Sequence, residues 1–226
     1  MRLKILGIAT KWLFILCLPV LLLTASIGWA ANSLWLYKYG FYKYSIPQTP
    51  ELAEFDLDQV ATGLISYFNS DEEYVNLIVM RDGKPFELFN DEEIVHFKDV
   101  KGLIWLDYRV LLGTLIYALA YAGVSLFWRK DWRQLAWGVV GGSGITLALM
   151  LALGIGIMLD FNQLFLQFHL LLFTNEFWSA EGYMLLLFPG EFWYDAALFC
   201  ALAIAAGAVV LGGVAGVCLK KVKAFT

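Results

Sequence analysis

The sequence predicts a mainly α integral membrane protein with four transmembrane helices. Three observations predict it. The chain is 60% hydrophobic with a mean hydropathy of +0.67, whereas soluble domains are roughly 45–50% apolar. Four runs, at about 12–32, 110–128, 135–158 and 196–219, reach the ~20 mostly apolar residues that a spanning helix needs. With four spans, the three basic clusters beside those runs fall on one face.

Those basic residues set an orientation. Arg2, Lys4 and Lys11 precede the first run, Arg129, Lys130 and Arg133 fill the link between the second and third, and Lys220, Lys221 and Lys223 follow the fourth. Lysine and arginine concentrate in cytoplasmic loops, so both termini are expected in the cytoplasm. Of 20 Asp and Glu residues only Asp131 falls on that side. Residues 1–226 thus read as one membrane domain, with 33–109 an extracytoplasmic insertion and 159–195 an interfacial or re-entrant segment. A net charge of −4 is too weak to imply a nucleic-acid partner.

The first run has a basic start and a small-residue Ala30-Ala31 end, as signal peptides do. Its apolar length is nearer 20 residues than the 7–15 of a signal peptide, so it reads as a retained anchor. Within 33–109, Tyr37, Tyr39, Tyr42 and Tyr44 read as an interfacial anchor. Thr49-Pro50 predicts a helix start, with proline at the first helical position. Leu52, Phe55, Val60, Leu64, Tyr67 and Phe68 follow at helical spacing. The acidic run Asp71-Glu72-Glu73 reads as a solvated turn. Arg81-Asp82-Gly83-Lys84 between two apolar runs predicts a hairpin. Asn90 to Glu93 has capping-box spacing and starts a helix leading toward the second span. The insertion is therefore α+β: helix, hairpin, helix.

Segment 159–195 is rich in aromatic residues and leucine. Phe161, Leu164, Phe165, Phe168, Leu171 and Leu172 form a stripe at 3-4 spacing, read as one or two short helices in the headgroup layer. Cys17, Cys200 and Cys218 lie inside apolar runs as buried thiols without metal-ligand spacing. Gly141-Gly142-Ser143-Gly144 resembles the G-x-S-G motif of rhomboid proteases. Along a helix, however, Ser143 and His169 are up to ~39 Å apart. These glycines, and Gly212-x-x-x-Gly216, read as close helix-packing positions.

The chain has two histidines, His96 and His169, and the charge pattern places both outside. Histidine is the side chain whose ordinary pKa lies near neutrality, so the two form a candidate acid/base pair. On the helix that starts near Asn90, Glu92 and Glu93 lie one turn before His96 and Asp99 one turn after. A carboxylate at that spacing can orient an imidazole.

The residues around both histidines resemble a family of bacterial four-span membrane proteins, the Lit-type lipoprotein intramolecular transacylases. The carrying residues are Asn90-Asp91-Glu92-Glu93-Ile94-Val95-His96-Phe97-Lys98-Asp99-Val100-Lys101, then Phe168-His169, Phe173-x-Asn175, Trp178, Phe188-Pro189 and Phe192-x-x-Asp195. The resemblance implies a membrane acyltransferase in the bacterial cytoplasmic membrane. Its substrate would be a diacylglyceryl-modified lipoprotein, presented with membrane lipid at the outer leaflet. The sn-2 acyl chain would pass to the α-amino group of the modified N-terminal cysteine, leaving the lyso form. Ester aminolysis is downhill, so no cofactor and no metal is expected. His96 and His169 would supply acid and base, with Asp99 orienting His96. Asn175, Trp178 or Lys101 would donate to the developing oxyanion; the sequence does not choose among them.

A reading from a different class is a non-enzymatic envelope protein that binds a lipid or a protein partner through its outer domain. A transporter is disfavoured, because four spans are few and none carries a deep charge.

Overall fold

The computed structural model describes residues 2–49, 51–52 and 55–223. Four of its helices are long and apolar enough to cross a membrane: Gly7–Asn32, Asp91–Trp128, Trp132–Leu172 and Gly190–Lys220. In chain order the elements are α1 (Arg2–Asn32), α2 (Leu34–Lys43), α3 (Leu57–Phe68), β1 (Ile78–Arg81), β2 (Lys84–Glu87), α4 (Asp91–Gly123), α5 (Trp132–Leu172), α6 (Tyr183–Leu187) and α7 (Gly190–Lys223). Short 3-10 turns lie at Ile46–Gln48 and Phe177–Ser179, and a π turn at Val124–Trp128 ends α4.

The chain divides into two compact units. The first comprises Met1–Ile27, Asp107–Ile155 and Phe199–Thr226. Without water to satisfy it, backbone in lipid must bond to itself, and the elements of this unit are helices. Its helices meet through small residues and aromatic rings. Phe14 stacks on Tyr121 at 4.5 Å between centroids, and Leu18 completes that cluster. Ala136, Ala215 and Leu219 form another. A Cβ on Gly142 would lie 2.9 Å from the Ile15 carbonyl oxygen and 2.5 Å from Leu18. One on Gly212 would lie 2.9 Å from Ser143 Cβ. Both glycines are packing positions, as the sequence predicts; Gly144 and Gly216 face open space. Ser143 is buried in this unit, in helix packing. The cysteines are free thiols, but Cys218 is exposed, whereas a buried thiol was expected. It falls on the outward side of α7, between the buried Ala215 and Leu219.

The second unit comprises Gly28–Leu106 and Gly156–Leu198. Ser33 caps α2, its side chain accepting from the Leu36 N–H. The tyrosines of that helix have separate roles. Tyr37 packs against Phe188 and Phe192, Tyr42 is exposed, and Tyr44 donates to Asp195 Oδ2 at 2.7 Å. Lys43 donates to the same oxygen at 2.5 Å, a bond that raises the Lys43 ammonium above its ordinary value.

The helix expected from Thr49-Pro50 begins later. Pro50 lies outside the described residues, and α3 starts at Leu57 behind Asp56, whose carboxylate accepts from the Asp58 and Gln59 N–H groups. Leu52 and Phe55 are buried in the approach to it. An Asp that caps two orphan donors outcompetes the upstream proline signal. The hairpin forms where the Asp-Gly pair predicts it: Arg81 pairs with Lys84, and Asp82 and Gly83 both take positive φ, as a type I′ turn requires. In the acidic turn, Glu73 pairs with Lys98 at 2.5 Å, and that bond holds the Glu73 carboxyl below the usual carboxylate range.

α5 is interrupted at Asp160, whose φ of −162° and ψ of 90° are non-helical. Its carboxylate accepts from the Gln163 N–H at 2.9 Å and caps the helix that resumes. The interruption falls two residues beyond Met158, where the third apolar run ends in the sequence.

Gly142→Ala is expected to cost about 1–3 kcal/mol, because backbone rather than a flexible side chain meets the new methyl. Gly144→Ala should be neutral or stabilising by up to about 1 kcal/mol. Thermal unfolding of both variants in detergent checks the contrast.

Candidate active site

The site begins with the start of α4. Asn90 Oδ1 accepts from the Glu93 N–H at 3.0 Å, and Glu93 Oε2 accepts from the Asn90 N–H at 2.9 Å. This reciprocal box satisfies two orphan donors of the helix terminus. One turn on, His96 is 7% exposed. Phe97 beside it packs on Phe89 at 4.6 Å and Phe68 at 6.2 Å.

His169 arrives on the helix that resumes after Asp160. Phe161, Phe165 and His169 share one face at four-residue spacing, with ring centroids 5.7 Å apart for the first pair and 4.3 Å for the second. This inner face differs from the predicted stripe: Leu164, Phe168, Leu171 and Leu172 are exposed. His169 itself is 6% exposed. Its Nδ1 lies 2.7 Å from the Phe165 carbonyl oxygen. A carbonyl only accepts, so Nδ1 donates, and in the neutral ring Nε2 keeps the lone pair.

The two imidazoles come together. Their centroids are 6.2 Å apart with planes inclined at 32°, and no hydrogen bond joins them directly. Phe173 lies 4.9 Å from His96 and 5.5 Å from His169, stacked on the latter. Phe168 and Trp178 lie 5.2 Å and 4.8 Å from His169. Within this aromatic wall no carboxylate among the described residues hydrogen-bonds to either ring. Burying a charge without a partner is costly, so both rings rest neutral. His96 Nδ1 is buried with no hydrogen-bond partner among the described residues.

The expected supporting residues sort differently. Asp99 does not bond His96; its Oδ2 accepts from Asn175 Nδ2 at 2.9 Å. Asn175 Oδ1 in turn accepts from the Phe177 N–H at 3.1 Å, so its amide holds the loop after α5. The Lys101 ammonium donates to the Glu72 carbonyl at 2.5 Å and Ser70 Oγ at 3.3 Å and sits 4.3 Å from the Tyr67 ring centroid. Its donors serve the chain beyond α3, not the histidines. Trp178 stays beside His169, half-buried, and its indole N–H makes no hydrogen bond among the described residues. Glu93 does not orient His96 either; its second oxygen accepts from the Met184 N–H at 2.6 Å. The capping-box spacing announces Glu93 in the sequence, but nothing there announces Met184 as its partner.

On this geometry, His169 is expected to be the Nδ1-protonated neutral tautomer at pH 7. Ring 15N chemical shifts of the labelled protein would show it; an Nε2-protonated tautomer would contradict the Phe165 bond.

Comparison with known proteins shows the family and the fold. The sequence profile of the family described as lipoprotein intramolecular transacylase Lit matches residues 12–193. The fold is similar to that of solved structures of the membrane integral lipoprotein intramolecular transacylase Lit from Bacillus cereus. One superposes with a TM-score of 0.80 at 21% identity, covering 97% of this chain and 99% of that one. A form with a histidine-to-alanine substitution gives 0.75 at 21% identity, covering 99% of each chain. One with histidine replaced by arginine gives 0.70 at 22% identity, over 100% of this chain and 98% of that one. No curated protein is matched by the sequence.

Proposed function

The chain belongs to the lipoprotein intramolecular transacylase Lit family, a family of multi-pass membrane enzymes, and from that premise we propose that His96 and His169 catalyse transfer of an sn-2 acyl chain. The donor is the diacylglyceryl group on a bacterial lipoprotein, and the acceptor is the α-amino group of the same modified cysteine. The observation that carries this reading is the pair of buried imidazoles 6.2 Å apart in an aromatic enclosure.

The chemistry follows from that pair. The amine nitrogen bonds to the ester carbonyl carbon and must lose a proton. The carbonyl carbon then releases the glycerol oxygen, which must gain one. His169 suits the first transfer, because its Nδ1–H is held by Phe165 and Nε2 is left as acceptor. The proton taken up by His169 passes by way of His96 to the leaving glycerol oxygen, so both rings end the cycle neutral. General acid–base help of this kind contributes about 10²–10⁴-fold. Amine and ester are already in one molecule, so much of the entropy cost of encounter is absent. No serine or cysteine nucleophile is needed. The oxyanion needs a donor. Asn175 and Lys101 each commit donors to Asp99, Ser70 and Glu72, whereas the Trp178 indole lies beside His169, so Trp178 is the donor that this reading favours. The phenylalanine rings around the histidines suit an acyl chain.

The basic clusters at the chain ends and in the 129–133 link support cytoplasmic termini. His96 and His169 then work at the outer leaflet, with lipoprotein and membrane lipid as the partners.

His96→Gln and His169→Gln should each lower lyso-lipoprotein formation by about 10²–10⁴-fold. N-terminal peptides from cells lacking other N-acylation, analysed by mass spectrometry, report it. Wild-type product from either variant would remove that histidine from the mechanism. Trp178→Phe keeps the ring and removes the N–H; a loss of about 10²-fold or more is expected for an oxyanion donor.

A further inference from the structure

The most deeply buried charged group near the site is one that the reaction above does not use. Glu93 is 0% exposed. Its carboxylate accepts from two backbone donors on segments far apart in sequence: Oε2 from the Asn90 N–H at 2.9 Å and Oε1 from the Met184 N–H at 2.6 Å. The chain beside Met184 is fitted to that carboxylate. A Cβ on Gly182 would overlap Glu93 Oε1 and lie 2.7 Å from Oε2. Gly182 is in extended backbone, so the glycine is required by space and not by its dihedral angles.

Two further bonds join the same stretch to α4. Asn90 Nδ2 donates to the Glu181 carbonyl at 3.2 Å, and Asn175 Nδ2 donates to Asp99 at 2.9 Å. Three points, at Asn175, Glu181 and Met184, thus tie the 175–184 stretch to the part of α4 that carries His96. Between them lies Trp178, 4.8 Å from His169. A fully buried carboxylate is a poor source of stability, because its desolvation offsets most of what its bonds contribute. What it supplies is a fixed geometry between two segments.

We propose that Glu93 is a positioning residue for the reaction: it holds the Gly182–Met184 backbone to α4 and so fixes Trp178 against His169. The inference rests on the two-histidine reading of the site. Glutamate is required at this position because it presents an oxygen to each of two N–H donors. Glutamine has the same shape but one oxygen, so one N–H must face an amide NH2. Aspartate is one methylene too short to span both donors.

The test is a set of variants assayed for lyso-lipoprotein formation with purified lipoprotein in detergent, each with kcat, KM and unfolding temperature measured. Glu93→Gln should lower kcat about 10–100-fold, as small misplacements in a site do, with KM within about twofold of wild type and the protein still folded at the assay temperature. Gly182→Ala should reproduce the loss, because its methyl displaces the carboxylate. In a Glu93→Ala background the methyl has room, so adding Gly182→Ala should change kcat little further. That non-additivity marks residues acting as one unit. Glu92→Gln, an exposed neighbour, should match wild type.

If Glu93→Gln fails to fold, Gly182→Ala and the double variant decide. Wild-type kcat in folded Glu93→Gln or Gly182→Ala overturns the proposal, as does a loss that vanishes once the unfolded fraction is subtracted. So does additivity in the double variant. His169→Gln, assayed alongside, separates the two readings. If it is inactive while Glu93→Gln and Gly182→Ala are fully active, only the positioning role fails. If it is fully active, the acid/base reading fails first.

Discussion

The Glu93 carboxylate joins residues 91 positions apart in sequence, and the geometry around the histidines depends on such joins. One oxygen closes the capping box that starts α4; the other takes the first turn of α6. α4 carries His96, and the stretch leading into α6 carries Trp178. Without that shared carboxylate each segment would still have its local signal, the N-x-x-E spacing for one and a five-residue helix for the other. Neither signal specifies where the segments lie relative to each other. A buried carboxylate does so because each of its oxygens needs a donor, and few arrangements of the backbone supply both.

The enclosure around the imidazoles sets their chemistry. Phe165, Phe168, Phe173 and Trp178 surround His169 within 5.5 Å between centroids. Apolar walls keep both rings uncharged at rest and strengthen any charge–dipole interaction formed inside. The Phe165 carbonyl adds direction by fixing one nitrogen of His169 as donor. This contact comes from four-residue spacing on one helix, so it is made locally, without help from the rest of the fold.

Much of the fold is legible in the sequence, and so is part of the site. The third apolar run ends beside the Asp160 interruption, the Asp-Gly pair makes the hairpin, and Asn90 and Glu93 make the capping box. Each of these signals acts within four residues, where covalent geometry and local hydrogen bonds dominate. α3 starts at the Asp56 cap, which bonds two donors at the observed start. The supporting residues take partners that spacing along the sequence does not announce. Asp99 is one turn from His96 and can reach toward it, but Asn175 of a distant segment takes its oxygen. Lys101 is on the same helix and is drawn away by the Ser70 and Glu72 positions.

Composition, apolar run length and histidine count by themselves determined the class: a four-span membrane protein whose titratable chemistry near neutrality rests on His96 and His169. Lipid enforces this, since only long apolar helices satisfy their own backbone there. The tertiary structure alone decided that the two rings stand 6.2 Å apart, that Asp99 and Asn175 bond each other, and that Glu93 holds Met184. Those outcomes depend on contacts between residues 73 to 91 positions apart. At that range no spacing rule in the sequence records which donor meets which acceptor; only packing and the cost of an unmet buried group select the pairs.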